Sequence, residues 1–123
     1  MAVILVIDDN EVIRELVRKY LGKAGYEVVC AANGKEGLKR CIEQTVDLVI
    51  TDIIMPIQEG METIWEIKKR FTGMKIIAMS AGGTIGPEEY LKTAGKIGAH
   101  RTLKKPIKNE ELLGAVKELL TEQ

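Results

Sequence analysis

The chain has 123 residues, enough for one globular domain with a single hydrophobic core. Its 18 basic and 18 acidic side chains give no net charge, which argues against this domain binding nucleic acid or an anionic membrane. No apolar run reaches the roughly 20 residues that a membrane span needs, and the N-terminus has no basic leader, so a cytoplasmic protein is expected.

The apolar pattern predicts five repeats of a strand followed by a helix. The first three repeats are strand Val3–Ile7 with helix 11–24, strand Glu27–Ala31 with helix 35–44, and strand 46–51 with a helix that ends near residue 71. The last two are strand 75–79 with helix 87–97, and strand Arg101–Lys104 with a final helix. Alternation of this kind indicates an α/β domain with a parallel sheet.

Residues at the helix ends and on the apolar helix faces support these boundaries. Asn10 and Asn109 are expected to cap the first and last helices. Ile64, Ile67 and Phe71 recur at helical spacing and are expected to face inward from the third helix. The two cysteines are too few for a disulfide framework and are expected to be small buried apolar residues.

Polar residues follow the ends of four predicted strands. Asp8 and Asp9 follow the first strand, Asp52 the third, Ser80 the fourth and Lys105 the fifth. Because the carboxyl ends of parallel strands emerge at one edge of a sheet, where open α/β sheets place their ligand sites, we expect these residues to share one shallow pocket. Taken singly, each has a structural interpretation as a helix cap, a turn residue or a solvated charge. The functional interpretation depends on the whole set.

Four segments around these residues carry a resemblance to a known family. They are VIDDN, DLVITDIIMP, IIAMSA and GAHRTLKKPI, in the family's order and approximate spacing. The chain resembles the receiver domains of two-component response regulators, and is similar to stand-alone chemotaxis-type receivers, over essentially its whole length. The resemblance implies one receiver domain over residues 1–123 with a flavodoxin-like three-layer α/β/α sandwich. It also implies a five-stranded parallel sheet in the order 2-1-3-4-5 with five helices.

The resemblance further implies a chemistry for the pocket. In this family the residue at the position of Asp52 accepts a phosphoryl group and contacts Mg²⁺. The residue matching Asp9 is a direct metal ligand, and the residue matching Asp8 often acts through a metal-bound water. The backbone carbonyl of Ile54 completes the protein's share. Mg²⁺ prefers such oxygen ligands, and a cation is needed because the transfer brings one anion onto another.

Lys105 and Ser80 are the other expected members of the site. Lys105 would place a positive charge beside the developing acyl phosphate, and the Ser80 hydroxyl would donate to a phosphoryl oxygen. We choose Lys105 over Lys104 because it directly precedes Pro106, as the family's lysine does, and because successive strand residues point to opposite faces. The family holds the peptide bond before this proline in the cis form.

Together these features predict a phosphoacceptor signalling domain. It would take its phosphoryl group from a sensor histidine kinase or a histidine phosphotransfer protein, and then change its affinity for an effector protein. It is not expected to be an enzyme, although the site allows slow self-dephosphorylation. The alternative is a haloacid-dehalogenase-like aspartyl phosphatase, which normally carries its nucleophile on the first strand in a DxD pattern and has a cap domain. A flavodoxin-like cofactor binder is disfavoured by the acids after the first strand.

The chain departs from the family pattern at Thr102, where many receivers carry a tyrosine or phenylalanine that swings inward on phosphorylation. Threonine cannot fill that volume, so the sequence favours a switch that depends on Ser80. Three glycines in segment 81–86 predict a flexible loop before helix 87–97. The only histidine, His100, is expected to lie in a surface turn and not to donate a phosphoryl group.

Overall fold

The computed structural model describes residues 2–52, 57–80 and 98–121 of the chain. The elements are β1 (Val3–Ile7), α1 (Glu11–Lys23), β2 (Glu27–Ala31), α2 (Gly34–Glu43), β3 (Leu48–Asp52), α3 (Ile57–Arg70), β4 (Lys75–Ser80), β5 (Arg101–Lys104) and α4 (Asn109–Thr121). The predicted loop 81–86 and helix 87–97 lie outside these ranges. The described part of the chain therefore contains four of the five predicted helices.

The five strands form one parallel sheet in the order β2-β1-β3-β4-β5, which confirms the expected order. Because successive strand side chains point to opposite faces, the apolar residues of β1 to β4 divide between two buried clusters. Leu5 and Ile7 belong to the cluster beneath α2 and α3, here the α2/α3 cluster. Ile4 and Val6 belong to the cluster beneath α1 and α4, here the α1/α4 cluster. The result is the predicted three-layer sandwich.

The first helix begins and ends as its sequence predicts. The side-chain oxygen of Asn10 accepts a hydrogen bond from the Val12 amide at 2.8 Å, which confirms the N-cap. The helix ends at Lys23, and Gly25 follows with a φ of 94°, a conformation that glycine adopts without steric cost. The chain can therefore turn directly into β2.

Several boundaries differ from the prediction by one or two residues, and the third strand and the last helix show the reasons. The third strand begins at Leu48, because Asp47 belongs to the connection before it. The Asp47 amide donates to the Val3 carbonyl at 2.8 Å, and the Asp47 carboxylate accepts from the Val3 amide at 2.7 Å. Val46 is buried in the α2/α3 cluster, which explains why an apolar residue lies just outside the strand. The last helix begins at Asn109, so the predicted cap there is wrong by one residue.

The third helix and the cysteines largely follow the predictions. Ile64 and Ile67 are fully buried, and Phe71, just beyond the end of α3, packs against the same cluster. Cys41 is buried and Cys30 half-buried, and both are free thiols. None of the helices in the described ranges is long and apolar enough to cross a membrane.

Candidate functional site

Four of the predicted site residues lie at the carboxyl edge of the sheet. Asp8 directly follows β1, Asp52 ends β3, Ser80 ends β4 and Lys105 directly follows β5. The strand registers bring the ends of β3, β4 and β5 to nearly the same level. Asp8, Asp52 and Ser80 are all buried. Parallel pairing alone therefore gathers residues that lie up to 97 positions apart in the chain.

Lys105 connects two carboxylates of this pocket. Its ammonium donates to Asp8 Oδ2 at 2.8 Å and to Asp52 Oδ2 at 3.1 Å. Its backbone amide donates to the Ser80 carbonyl at 2.8 Å, which fixes the chain at the end of β5. The peptide bond between Lys105 and Pro106 is cis, as the family resemblance implies.

The two adjacent lysines lie differently with respect to the pocket. Leu103 lies in the α1/α4 cluster, and Lys105, two residues later, continues on the same side of the chain into the pocket. Lys104 is exposed instead. Lys105 therefore reaches Asp8 and Asp52 in the structure.

Asp8 is held by its backbone as well as by its carboxylate. Its amide donates to the Ala31 carbonyl at 3.1 Å, and its Oδ1 accepts from the Asn10 amide at 2.9 Å. Its carbonyl accepts from Arg14 Nη1 at 2.7 Å. Sequence reasoning missed Arg14. In the sequence, the only signal was a basic residue near the N-terminus of a helix. The helix dipole disfavours a cation there, so such a residue is expected to have a specific partner.

Three carboxylates in the pocket are close enough to share a cation. Carboxylate oxygens of Asp8, Asp9 and Asp52 lie within 4.8 Å of one another, and Asp9 is the exposed member. Three carboxylates and one ammonium leave an excess of two negative charges when all are ionised. A hard divalent cation with oxygen ligands fits both the donor set and this charge. The carbonyl of Ile54, which the sequence also assigned to the metal, lies outside the described residues.

Burial and the ion pair between Asp8 and Lys105 shift the pKa of each of the two groups in opposite directions. Burial raises the pKa of Asp8 above its usual value, although hydrogen bonds from Lys105 and the Asn10 amide oppose the rise, and the Asp52 charge adds to it. Burial alone would lower the pKa of Lys105, but its hydrogen bonds to the two carboxylates and their charges outweigh burial and raise that pKa. Lys105 is therefore a permanent cation in a pocket that favours added positive charge.

Two other residues singled out in the sequence lie away from these contacts. Thr102 is exposed on β5. His100 lies at the amino end of β4 and β5, where its amide donates to the Ile76 carbonyl at 2.8 Å and its Nδ1 accepts from the Ile76 amide at 3.2 Å. The histidine joins two strands at the edge of the sheet opposite the acidic pocket.

The fold and pocket define a parallel α/β domain with an acidic site that a lysine bridges. Residues 4–117 match the family model of the response regulator receiver domain, and the chain belongs to this family. It is 36% identical over 118 residues to the chemotaxis protein CheY of Halobacterium salinarum, and the alignment covers 96% of both chains.

Solved structures of similar proteins agree with the family. A response regulator receiver domain protein from Clostridium thermocellum is 34% identical, with a TM-score of 0.88 and coverage of 98% of this chain and 94% of that one. The response regulator TrrA of Thermotoga maritima, solved in complex with Mg²⁺ and BeF, is 37% identical, with a TM-score of 0.84 and coverage of 97% and 99%.

These comparisons define the class of function. The chain is a CheY-like receiver domain, a phosphoacceptor signalling module of two-component systems. The haloacid-dehalogenase-like alternative is not supported, since the matched family is a receiver over nearly the whole chain.

Proposed function

We propose that Asp52 is the residue that accepts the phosphoryl group. The observation that carries this proposal is the Lys105 ammonium, which donates to Asp52 inside a cluster of three carboxylates. In the sheet order, β3 lies between β1, which leads to Asp8 and Asp9, and β4, which ends in Ser80. Asp52 is therefore the central member of the set, with the acids on one side and the hydroxyl and ammonium on the other.

This placement supports the following transfer. An oxygen of the Asp52 carboxylate attacks phosphorus, the P–N bond of the donor phosphohistidine breaks, and the histidine nitrogen keeps the electron pair and takes up a proton. The product is an acyl phosphate on Asp52. Lys105, whose pKa is raised, offers its positive charge to the phosphoryl oxygens, and the Ser80 hydroxyl donates to one of them.

The acidic residues would hold Mg²⁺, which when bound offsets the negative charge of the carboxylates and of the incoming phosphoryl group. Asp9 is the exposed carboxylate of the cluster and is assigned as a direct ligand together with Asp52. Asp8 is assigned a contact through a metal-bound water, because its Oδ2 already accepts a hydrogen bond from Lys105 and its Oδ1 accepts one from the Asn10 amide. The Ile54 carbonyl stays in the proposal on the family resemblance alone.

The proposal includes the partners expected from the sequence. The donor is a sensor histidine kinase or a histidine phosphotransfer protein, and the signal passes to an effector protein through a change in affinity. Residues 1–123 form one receiver domain in this proposal, supported by the family match over 4–117. Its role is signalling and not catalysis on a separate substrate. A cytoplasmic location is consistent with the two free cysteines, as reducing compartments keep thiols unpaired.

Phosphorylation by a small donor tests the assignment. The wild type should take up one phosphoryl group from acetyl phosphate in the presence of Mg²⁺ and none when the metal is chelated. The label should be stable in acid and labile in base, as an acyl phosphate is. Asp52→Asn should take up none, whereas Asp47→Asn, before the amino end of the same strand, should behave as wild type. Labelling of Asp52→Asn at the wild-type rate would overturn the proposal.

A further inference from the structure

Arg14 makes a contact that the site described above does not use. It lies on α1, and its Nη1 donates to the backbone carbonyl of Asp8 at 2.7 Å in a partly buried position. The pairing of β1 with both neighbouring strands ends at Ile7, so the Asp8 carbonyl lies one residue beyond the ladder. Asp8 is completely buried. The guanidinium therefore supplies a donor to a buried carbonyl just past the end of the sheet.

That carbonyl belongs to the peptide that joins Asp8 to Asp9. The amide of Asp8 is fixed by the Ala31 carbonyl, and its carboxylate by the Asn10 amide and Lys105. Because those contacts fix Asp8, the position of the Asp9 carboxylate depends on the orientation of the peptide between Asp8 and Asp9. The Arg14 guanidinium donates to this peptide through its carbonyl.

We propose that Arg14 is a positioning residue for Mg²⁺ binding. It holds the peptide between Asp8 and Asp9 so that the Asp9 carboxylate faces Asp8 and Asp52. This inference rests on the proposed function, because it assumes that the acidic cluster holds the metal. Arg14 acts through the backbone and touches neither the metal nor the phosphoryl group.

Charge and positioning predict opposite effects for the removal of Arg14. A guanidinium near a cation site repels the incoming cation, so if charge alone mattered, Arg14→Met would bind Mg²⁺ more tightly. If Arg14 positions the peptide, its loss leaves the buried carbonyl without this donor and lets the Asp9 carboxylate turn away. Arg14→Met would then bind Mg²⁺ more weakly. The sign of the change separates the two explanations.

Calorimetric titration of the full chain with Mg²⁺ gives the test. We expect Arg14→Met to lose about tenfold in Mg²⁺ affinity, the lower end of what loss of an outer-shell partner costs. Arg14→Lys keeps the charge, but its ammonium stops one atom short of Nη1, so a smaller loss is expected. Arg18→Met is the matched control. Arg18 lies one turn further along α1, where it donates to Cys30 Sγ at 3.3 Å, and its removal should leave the affinity unchanged.

A second measurement separates positioning from a general loss of stability. In metal-free protein, the NMR resonances of the Asp8 carbonyl carbon and the Asp9 amide should move in Arg14→Met and stay in place in Arg18→Met. If Arg14→Met does not fold, Arg14→Lys carries both measurements, and wild-type affinity in that variant overturns the inference. Equal or tighter binding by Arg14→Met, or an equal loss in Arg18→Met, also overturns it. If the wild type itself binds no Mg²⁺, the proposed function fails first, and the inference falls with it.

Discussion

Removal of the Lys105 side chain should destabilise the domain, because Lys105 is the cation between two buried carboxylates. Asp8 is 0% exposed and Asp52 is 4% exposed, and the Lys105 ammonium lies 2.8 and 3.1 Å from their oxygens. Lys105→Ala leaves both carboxylates without this donor. A carboxylate buried without its partner is strongly disfavoured in a medium of low polarity.

The size of the effect follows from the exposure of the pair. Removal of one partner of a buried ion pair costs about 3 to 5 kcal/mol. The lower end is expected here, because the Lys105 side chain is still 12% exposed and the Asn10 amide continues to donate to Asp8. We therefore expect a loss of about 3 kcal/mol in the free energy of unfolding. For a domain of this size this corresponds to a fall of about 10 °C in Tm.

The loss should depend on pH in one direction. Burial raises the pKa of Asp8 above 3.8, the value usual for an aspartate, and the Lys105 hydrogen bond opposes that rise. An interaction that lowers the folded-state pKa of a carboxyl stabilises the protein while the carboxyl is ionised, and this contribution disappears as the pH falls through that pKa. The difference between the wild type and Lys105→Ala should therefore be largest at neutral pH and shrink as the pH falls. Because the pKa of Asp8 is raised, the difference begins to shrink above the pH at which an ordinary aspartate takes up a proton.

Urea denaturation in metal-free buffer measures this difference directly. Lys104→Ala is the matched control, since the exposed Lys104 side chain should contribute less than about 0.5 kcal/mol. The reasoning fails if Lys104→Ala costs as much as Lys105→Ala. It also fails if Lys105→Ala loses no stability at neutral pH, or if its loss grows as the pH falls.

Three further predictions concern the metal, the helix packing and a buried thiol. Asp9→Ala should lose most of its Mg²⁺ affinity in calorimetry while its Tm without metal stays within about 2 °C of wild type, and wild-type affinity would contradict the ligand assignment. Gly34→Ala should cost about 1 to 3 kcal/mol in urea denaturation, because the new β-carbon would clash with the hydroxyl oxygen of Thr63 on α3. A β-carbon at position 22 would meet no neighbouring atom within 4 Å, so Gly22→Ala should stabilise α1 by about 0.5 to 1 kcal/mol. A larger loss of stability in Gly22→Ala than in Gly34→Ala would refute the packing argument. Burial raises the pKa of Cys41 to about 11, so iodoacetamide at about pH 8 should modify Cys30 first, and equal rates in peptide mass spectrometry would contradict that burial.

The type and order of the elements were predictable mainly because the three inner strands, β1, β3 and β4, are covered on both faces. Such strands appear as continuous apolar runs, and the run from Val3 to Ile7 is a strand of the same length in the structure. The limit of this signal is visible at Val46, an apolar residue that is buried just before β3. Composition cannot separate a buried connection from a strand. The order of the strands came from the family resemblance, since sequence periodicity carries no information on which strands are neighbours.

The site residues that could be predicted are those whose positions are determined by the ends of the strands. Asp8, Asp52 and Lys105 meet because parallel strands bring their carboxyl ends together, and the alternation along β5 separates Lys105 from Lys104. The contact from Arg14 to the backbone of Asp8 could not be foreseen. It depends on the conformation of a long side chain and on how α1 lies against the end of β1, which no periodic pattern encodes.

The identity of the phosphorylated residue can be read directly by trapping the acyl phosphate. The protein would be phosphorylated with acetyl phosphate and Mg²⁺, reduced with borohydride, digested and analysed by tandem mass spectrometry. Reduction converts an aspartyl phosphate to homoserine, which marks the modified position. We expect homoserine at position 52 and at no other aspartate. Homoserine at Asp8 or Asp9, with Asp52 intact, would contradict the assignment of Asp52 as the phosphoacceptor.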